Sequence, residues 1–350
     1  MSLHAIPAPP RETQRLTESP LAGLRLEADL RPHSLRLARP WRTAGGVIRE
    51  PRGWHLLLDT PSGLRGIGEA ACLRRQDWEV CGSALTGLVE AGAGRSFGWW
   101  LAQRDRLPPA ARMAVESALL MLAAGESGLP LYRWLAGEAR PRVRVNTVAG
   151  VLDGQAQRRL WLLAEAGYSL AKFKVGVFAV TEELERLRGL EVPQGMRLRL
   201  DANRAWTPRE AEAVVGALAG LPIEGLEEPL SEPHPEGLAR LQETASFPLA
   251  LDESLLDRYR GVPAAELPVR RLVLKPTLLG GLLPAWAVAW QARAAGREVV
   301  FTSTLEGPVG LRAVAHLAAA WGAGVHGLGV AAWWEKPEPE LLPRGGMLEL

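Results

Sequence analysis

The chain has 350 residues, which is room for one parallel barrel of about 200 to 250 residues with a smaller companion domain. Apolar residues make up 47% of it and charged residues 23%, near the globular average, and a net charge of +2 gives no bias toward nucleic acid or a membrane surface. No stretch approaches the ~20 apolar residues of a membrane span, and Cys72 and Cys81 lack a metal-site spacing and are too few to staple such a chain. The expectation is a soluble, cytoplasmic protein that works on a small molecule.

Residues 1–20 contain no apolar run of signal-peptide length and read as a loose tail. From Leu24 to Leu73 the pattern is one of strands and turns. Trp54 to Asp59, the turn Pro61-Ser-Gly63 and Gly66-Ile-Gly-Glu69 spell an antiparallel hairpin, and Gly45-Gly46 marks a turn that could act as a lid. Gly66-Ile-Gly68 lacks the helix context and third glycine of a dinucleotide loop. Helical spacing follows from Pro109 to Leu135 through Met113, Ala114, Ser117, Ala118, Leu120 and Met121. Strands followed by helices make residues 21–140 an α+β unit.

From Arg142 onward the texture changes. Short apolar runs at 142–148, 170–175, 197–202, 223–228, 248–252, 270–275, 298–303 and 325–330 alternate with helical segments such as Pro208 to Ala219 and Leu282 to Ala295. Strands returning through helical crossovers predict an α/β fold with a closed parallel barrel over residues 141–331. Lys174, Asp201, Glu227, Asp252, Lys275 and Ser303 end successive runs at intervals of 23 to 28 residues. Active sites of this architecture gather at the C-terminal ends of the strands, so six strands each offer one chemically capable group to a common centre.

Lysine is scarce. Of the 41 basic residues only Lys172, Lys174, Lys275 and Lys336 are lysine. Arg holds its proton at any working pH, whereas a buried Lys can be tuned to act as a base, so lysines retained in an arginine-rich background are candidates for chemistry. Lys172 and Lys174 are two apart on a strand and share a face, as do Arg199 and Asp201. Two inward ammonium groups need counter-charges, and the acids at the next three strand ends supply them. Of the adjacent pairs Glu227/Glu228 and Asp252/Glu253, alternation admits one of each, and the choice of Glu227 and Asp252 as the inward members leans on the resemblance given below. Three carboxylates without His or Cys favour Mg²⁺, with Mn²⁺ as substitute. Such equipment suits removal of a proton α to a carboxylate, with the Lys172 amine tuned downward by its cationic neighbour. A Lys base working with Mg²⁺ on an enediolate is a pairing already known from the enolase superfamily. His55, His316 and His326 read as isolated packing or surface residues, and the tryptophans as core or interface filling.

Lys172-Phe-Lys174, Arg199 to Trp206, Leu226-Glu-Glu-Pro229, Asp252-Glu-Ser254, Lys275-Pro276 and Thr302 to Glu306 resemble the o-succinylbenzoate synthase family of the enolase superfamily, in its muconate-lactonizing-enzyme-like subgroup. The resemblance implies a (β/α)7β modified TIM barrel under an α+β capping domain, with residues 332–350 returning to the cap. It implies Mg²⁺ on Asp201, Glu227 and Asp252, Lys174 as the base, Lys275 opposite it and Lys172 assisting. Arg199, Asn203, Ser303 and Thr304 are further candidates for binding a small carboxylate substrate. The competing expectation on the same scaffold is a racemase of N-acylamino acids or a dipeptide epimerase. Against the dipeptide version, Val325 to Val330 offers no acidic pair for an amino group.

Overall fold

A computed structural model describes residues 10–43 and 46–350. Gly45 of the expected lid turn lies outside the described residues. The expected loose tail is corrected from Pro10 on: Pro10–Thr17 is a helix whose Leu16 is fully buried. Arg15 pins it, lying 4.0 Å over the Trp134 ring and donating to Trp134 O at 2.5 Å.

The N-terminal part contains a three-stranded antiparallel sheet in which Arg52–Asp59 lies between Glu27–Ser34 and Arg65–Cys72. Gly63, at φ 87°, turns the hairpin, and the Thr60 hydroxyl caps it by accepting from Leu64 N at 3.0 Å. The helix Pro109–Glu126 packs on Arg65–Cys72 through small residues. A Cβ on Gly68 would lie 1.8 Å from Ala114 O, and one on Gly66 2.1 Å from Ala118 O. The two glycines therefore let strand and helix backbones meet.

The rest of the chain is built on seven parallel strands whose spatial order follows the sequence. They are Thr147–Val151, Leu170–Lys174, Arg197–Asp201, Ile223–Glu227, Leu249–Leu251, Arg271–Leu274 and Glu298–Phe301. Helices between them start on favourable residues. Pro208, Pro235 and Pro308 occupy first-turn positions where no N–H bond is lost, and Thr207 with Glu210 forms a reciprocal capping box.

Two expected strands differ. The 142–148 run divides at Asn146: Arg142–Arg144 pairs antiparallel with the chain end, Met347–Glu349, and the parallel sheet begins at Thr147. The 325–330 run is no full strand. His326 bridges Val145 and Gly327 bridges Thr302, which links the sheet's first and last strands, but Gly327 and Gly329 pack against Thr302 and Asn146 and supply no side chains to hold a ladder. Beyond it, the 3-10 turn Ala331–Trp333 carries the chain back to the N-terminal part. Ala38 N donates to Trp333 O at 2.8 Å, and Arg39 lies 3.7 Å over the Trp333 ring. Among the described residues no helix is long and apolar enough to cross a membrane.

Candidate active site

Register brings the site together. In the parallel ladder Lys174 is opposite Asp201 and Asp201 opposite Glu227, so three strands end level with one another. Asp252 follows Leu249–Leu251 and Lys275 follows Arg271–Leu274, each at the start of a short helix. All these groups, with Lys172, Asn203, Ser303 and Thr304, line one cavity of about 1040 Å³. Its other wall comes from the N-terminal part, including Trp41, Ile48, Leu73 and Arg74.

The lysines are unequal. The Lys172 ammonium lies 2.9 Å from Asp201 Oδ2 and 2.5 Å from Glu227 Oε2. Burial alone would lower its pKa, but Asp201, Glu227 and Asp252 outweigh burial and raise it. The expected downward tuning by Lys174 is thus corrected: carboxylates outnumber cations around this amine. Lys275 donates to both oxygens of Asp252 and is 3.5 Å from Glu253; those acids raise its pKa against the effect of burial. Lys174 instead donates to Asn203 Oδ1 at 2.7 Å, and among the described residues it has no carboxylate ion pair.

Asp201, Glu227 and Asp252 are all at most 5% exposed. Burial raises Asp201, but Lys172 and Lys174 reverse the effect and hold it below its ordinary value. Asp201 and Glu227 converge on one point, taken by the Lys172 ammonium, while Asp252 faces Lys275. A set of buried carboxylate oxygens with no His or Cys fits a hard divalent cation.

Glu228 does not line the cavity, as alternation with Glu227 requires, but it too is buried. With φ 46° its backbone leaves the strand, and its carboxylate accepts from Asp252 N at 2.6 Å, Ser254 N at 2.9 Å and Ser254 Oγ at 2.5 Å. It therefore holds the Asp252 turn in place. Arg199 is 1% exposed and committed to Glu224, with Nε–Oε2 at 2.8 Å and Nη2–Oε1 at 3.0 Å, and to Val325 O. Its guanidinium is taken up by the protein itself. Ser303 Oγ and Thr304 N both go to Glu306 Oε2, at 2.5 and 2.7 Å, whereas Thr304 Oγ1 has no hydrogen-bond partner.

Sequence reasoning missed the acids behind these residues: Glu224, Glu228, Glu306 and Glu69. Glu69 accepts from Gly307 N at 2.6 Å and Gly310 N at 2.8 Å, joining the N-terminal sheet to the first turn of Pro308–Trp321. The one available signal was a glutamate within a strand, directly after two alternating glycines. His55 is not isolated: it stacks on His33 with ring centroids 4.0 Å apart. His316 and His326 are buried, as a packing role requires. Most tryptophans are buried or half-buried, but Trp161 and Trp290 are exposed.

Residues 155–349 match the Enolase C-terminal domain-like family. The L-Ala-D/L-Glu epimerase of Bacillus subtilis is 31% identical over 219 residues, 60% of this chain but only 58% of that protein's length. The o-succinylbenzoate synthase of Thermosynechococcus vestitus is 29% identical over 86% of this chain and 91% of its own. Two solved structures share the fold: the muconate lactonizing enzyme of Pseudomonas fluorescens complexed with muconolactone (TM-score 0.80, 21% identity, 94% of each chain) and the dipeptide epimerase of Enterococcus faecalis complexed with Mg and the dipeptide L-Leu-L-Tyr (TM-score 0.78, 23% identity, 93% of this chain and 97% of that one). A match over more than half of the chain, spanning the strands that carry the lysines and carboxylates, decides the family: the chain belongs to the Enolase C-terminal domain-like family.

Proposed function

We propose that the chain is an o-succinylbenzoate synthase, which dehydrates 2-succinyl-6-hydroxy-2,4-cyclohexadiene-1-carboxylate to 2-succinylbenzoate in menaquinone biosynthesis. In this reading residues 21–140 cap a (β/α)7β barrel over 141–331, and 332–350 return to the cap. The observation that carries it is the position of Lys174, a cavity-lining amine bonded to Asn203 and not to a carboxylate. Lys172 and Lys275, by contrast, each hold buried carboxylates.

Lys174 removes the proton α to the substrate carboxylate, and the same proton then leaves with the ring hydroxyl as water. One C–H and one C–O bond break, and the ring becomes aromatic. Lys275, held by Asp252, places a fixed positive charge in the same cavity against the anion that develops, and Lys172 keeps Asp201 and Glu227 in register while orienting the substrate carboxylate. Mg²⁺ bound by Asp201, Glu227 and Asp252 would supply further positive charge to that carboxylate as its α carbon becomes acidic. Asn203 orients the base, and Ser303 and Thr304 wall the pocket through Glu306.

The second reading is an N-acylamino acid racemase or dipeptide epimerase. It is favoured by the Bacillus relative and by two lysines sharing one cavity. Against an epimerase acting on a free amino group, the cavity wall at 327–330 offers Gly327, Gly329 and Val330, none of which has a side chain that can pair with an ammonium. Incubating the purified protein with Mg²⁺ and the cyclohexadiene substrate, in parallel with N-succinyl amino acids and dipeptides in deuterated water, separates the two. Aromatic product supports the synthase. Deuterium exchange into an amino acid α position without aromatisation supports the racemase or epimerase and overturns the synthase.

A further inference from the structure

His33, His55 and Glu69 lie on three neighbouring strands of the N-terminal sheet and are not among the residues that line the lysine cavity. His55 is directly opposite Glu69 in the antiparallel ladder, and His33 is two residues along on the outer strand, opposite Gly53. A Cβ on Gly53 would lie 2.5 Å from His33 Nε2, so glycine there is what lets the His33 ring fold over the central strand. Gly307 and Gly310 close the far side in the same way, each of their Cβ positions lying 3.2 Å from a Glu69 oxygen.

Within this cradle His33 Nε2 is 3.4 Å from Glu69 Oε1, and His55 Nε2 is 3.7 Å from Glu69 Oε2. Both nitrogens are buried without a hydrogen-bond partner. The three ligand atoms all lie within 4.8 Å of one another, and among the described residues this is the His/Cys/Asp/Glu trio so gathered; the three strand-end acids are not in it. Glu69 is fully buried, and its two backbone N–H bonds leave lone pairs free on both oxygens. In a tetrahedral zinc site, with bonds of about 2.0 to 2.2 Å, neighbouring ligand atoms stand roughly 3.3 to 3.6 Å apart; the two His–Glu separations are near that range, and the His33 and His55 rings, stacked with centroids 4.0 Å apart, would turn their Nε2 lone pairs toward the ion on binding. A second cavity of about 260 Å³, lined by His33, Pro32, Ser34, Glu50, Arg52 and Trp78, adjoins the cluster at His33.

We propose that His33, His55 and Glu69 form a second metal site, for a borderline divalent cation such as Zn²⁺, which would cross-link the three strands of the N-terminal sheet at the point where Glu69 also accepts from Gly307 N and Gly310 N. Two imidazoles and one carboxylate are a softer donor set than the all-oxygen strand-end site, so the two sites select different ions. A zinc ion at this position would bridge three side chains that otherwise only approach one another. The proposal does not depend on which reaction the lysine cavity performs.

The test is calorimetric titration of chelator-stripped full-length protein with Zn²⁺ in excess Mg²⁺, which occupies the carboxylate site, together with the visible spectrum of the Co²⁺-substituted protein. One equivalent of tight binding is expected, with an intense four-coordinate cobalt spectrum. His55→Gln and His33→Gln should each weaken it by at least about 100-fold, while Asp201→Asn leaves it unchanged. Failure of wild type to bind zinc under Mg²⁺ overturns the proposal, and so does loss of the site in Asp201→Asn. Should a histidine variant fail to fold, the wild-type cobalt spectrum still decides: a six-coordinate, oxygen-type spectrum rules the histidines out.

Discussion

Asn203 ties Lys174 to Asp201: its side-chain oxygen accepts from Lys174 Nζ at 2.7 Å, while its own backbone N–H donates to Asp201 Oδ1 at 3.1 Å. It does so from the left-handed region, at φ 45°, which Asn tolerates better than most residues. Asn203→Ala should therefore lower kcat by about 10- to 100-fold and leave folding intact. Steady-state kinetics beside circular dichroism checks this, and an unchanged kcat removes Asn203 from the site.

Lys172 is sandwiched between two buried carboxylates. Replacing it with Met breaks a buried pair, for which a loss of about 3 to 5 kcal/mol is expected in chelator. Added Mg²⁺ should recover part of that loss, because a bound cation restores the missing charge. Thermal melts of Lys172→Met with and without Mg²⁺ measure the recovery; equal deficits in both buffers would place the ion elsewhere.

Gly68 touches the helix Pro109–Glu126, and a Cβ there would lie 1.8 Å from Ala114 O. Gly68→Ala should cost about 1 to 3 kcal/mol as helix and strand are forced apart. Gly87→Ala, in a helix with nothing within 4 Å, is the matched control and should be neutral or slightly stabilising. Urea denaturation of the pair reads the difference.

His326 is buried with Nδ1 accepting from Phe301 N at 3.0 Å. Burial, helped by Arg199, pushes its pKa down to about 3, so the folded protein holds it neutral. The unfolded chain takes up a proton there near pH 6.5, so stability is complete above that pH and is lost as pH falls from about 6.5 toward 3. His326→Asn keeps an acceptor without the titration. Its urea midpoint should be lower at pH 7.5 yet fall less between pH 6.5 and 4.5 than that of wild type.

The site is legible in the sequence wherever chemistry and local spacing coincide. Lys172 and Lys174 are two apart and share a face on any strand, and the interval of 23 to 28 residues between strand-end groups is one strand plus one crossover. The supporting acids are illegible for a different reason: each finds its partner at long range. Glu224 reaches Arg199 over 25 residues, and Glu69 reaches Gly310 over 241. Alternation keeps Glu228 out of the cavity but does not reveal its partner, because its φ of 46° ends the pleat and turns the side chain toward Ser254. Residues 10–17 read as loose because a helix of eight residues carries little internal signal, and it is Leu16 in the core and Arg15 on Trp134 that hold it.

The central claim is that Lys174 performs the proton transfer, and turnover of the cyclohexadiene carboxylate by wild type and Lys174→Ala at saturating Mg²⁺ tests it most directly. Wild type should aromatise the substrate in a Mg²⁺-dependent way, and a folded Lys174→Ala protein should lose about 10²- to 10⁴-fold or more in kcat. Full activity in that variant would contradict it.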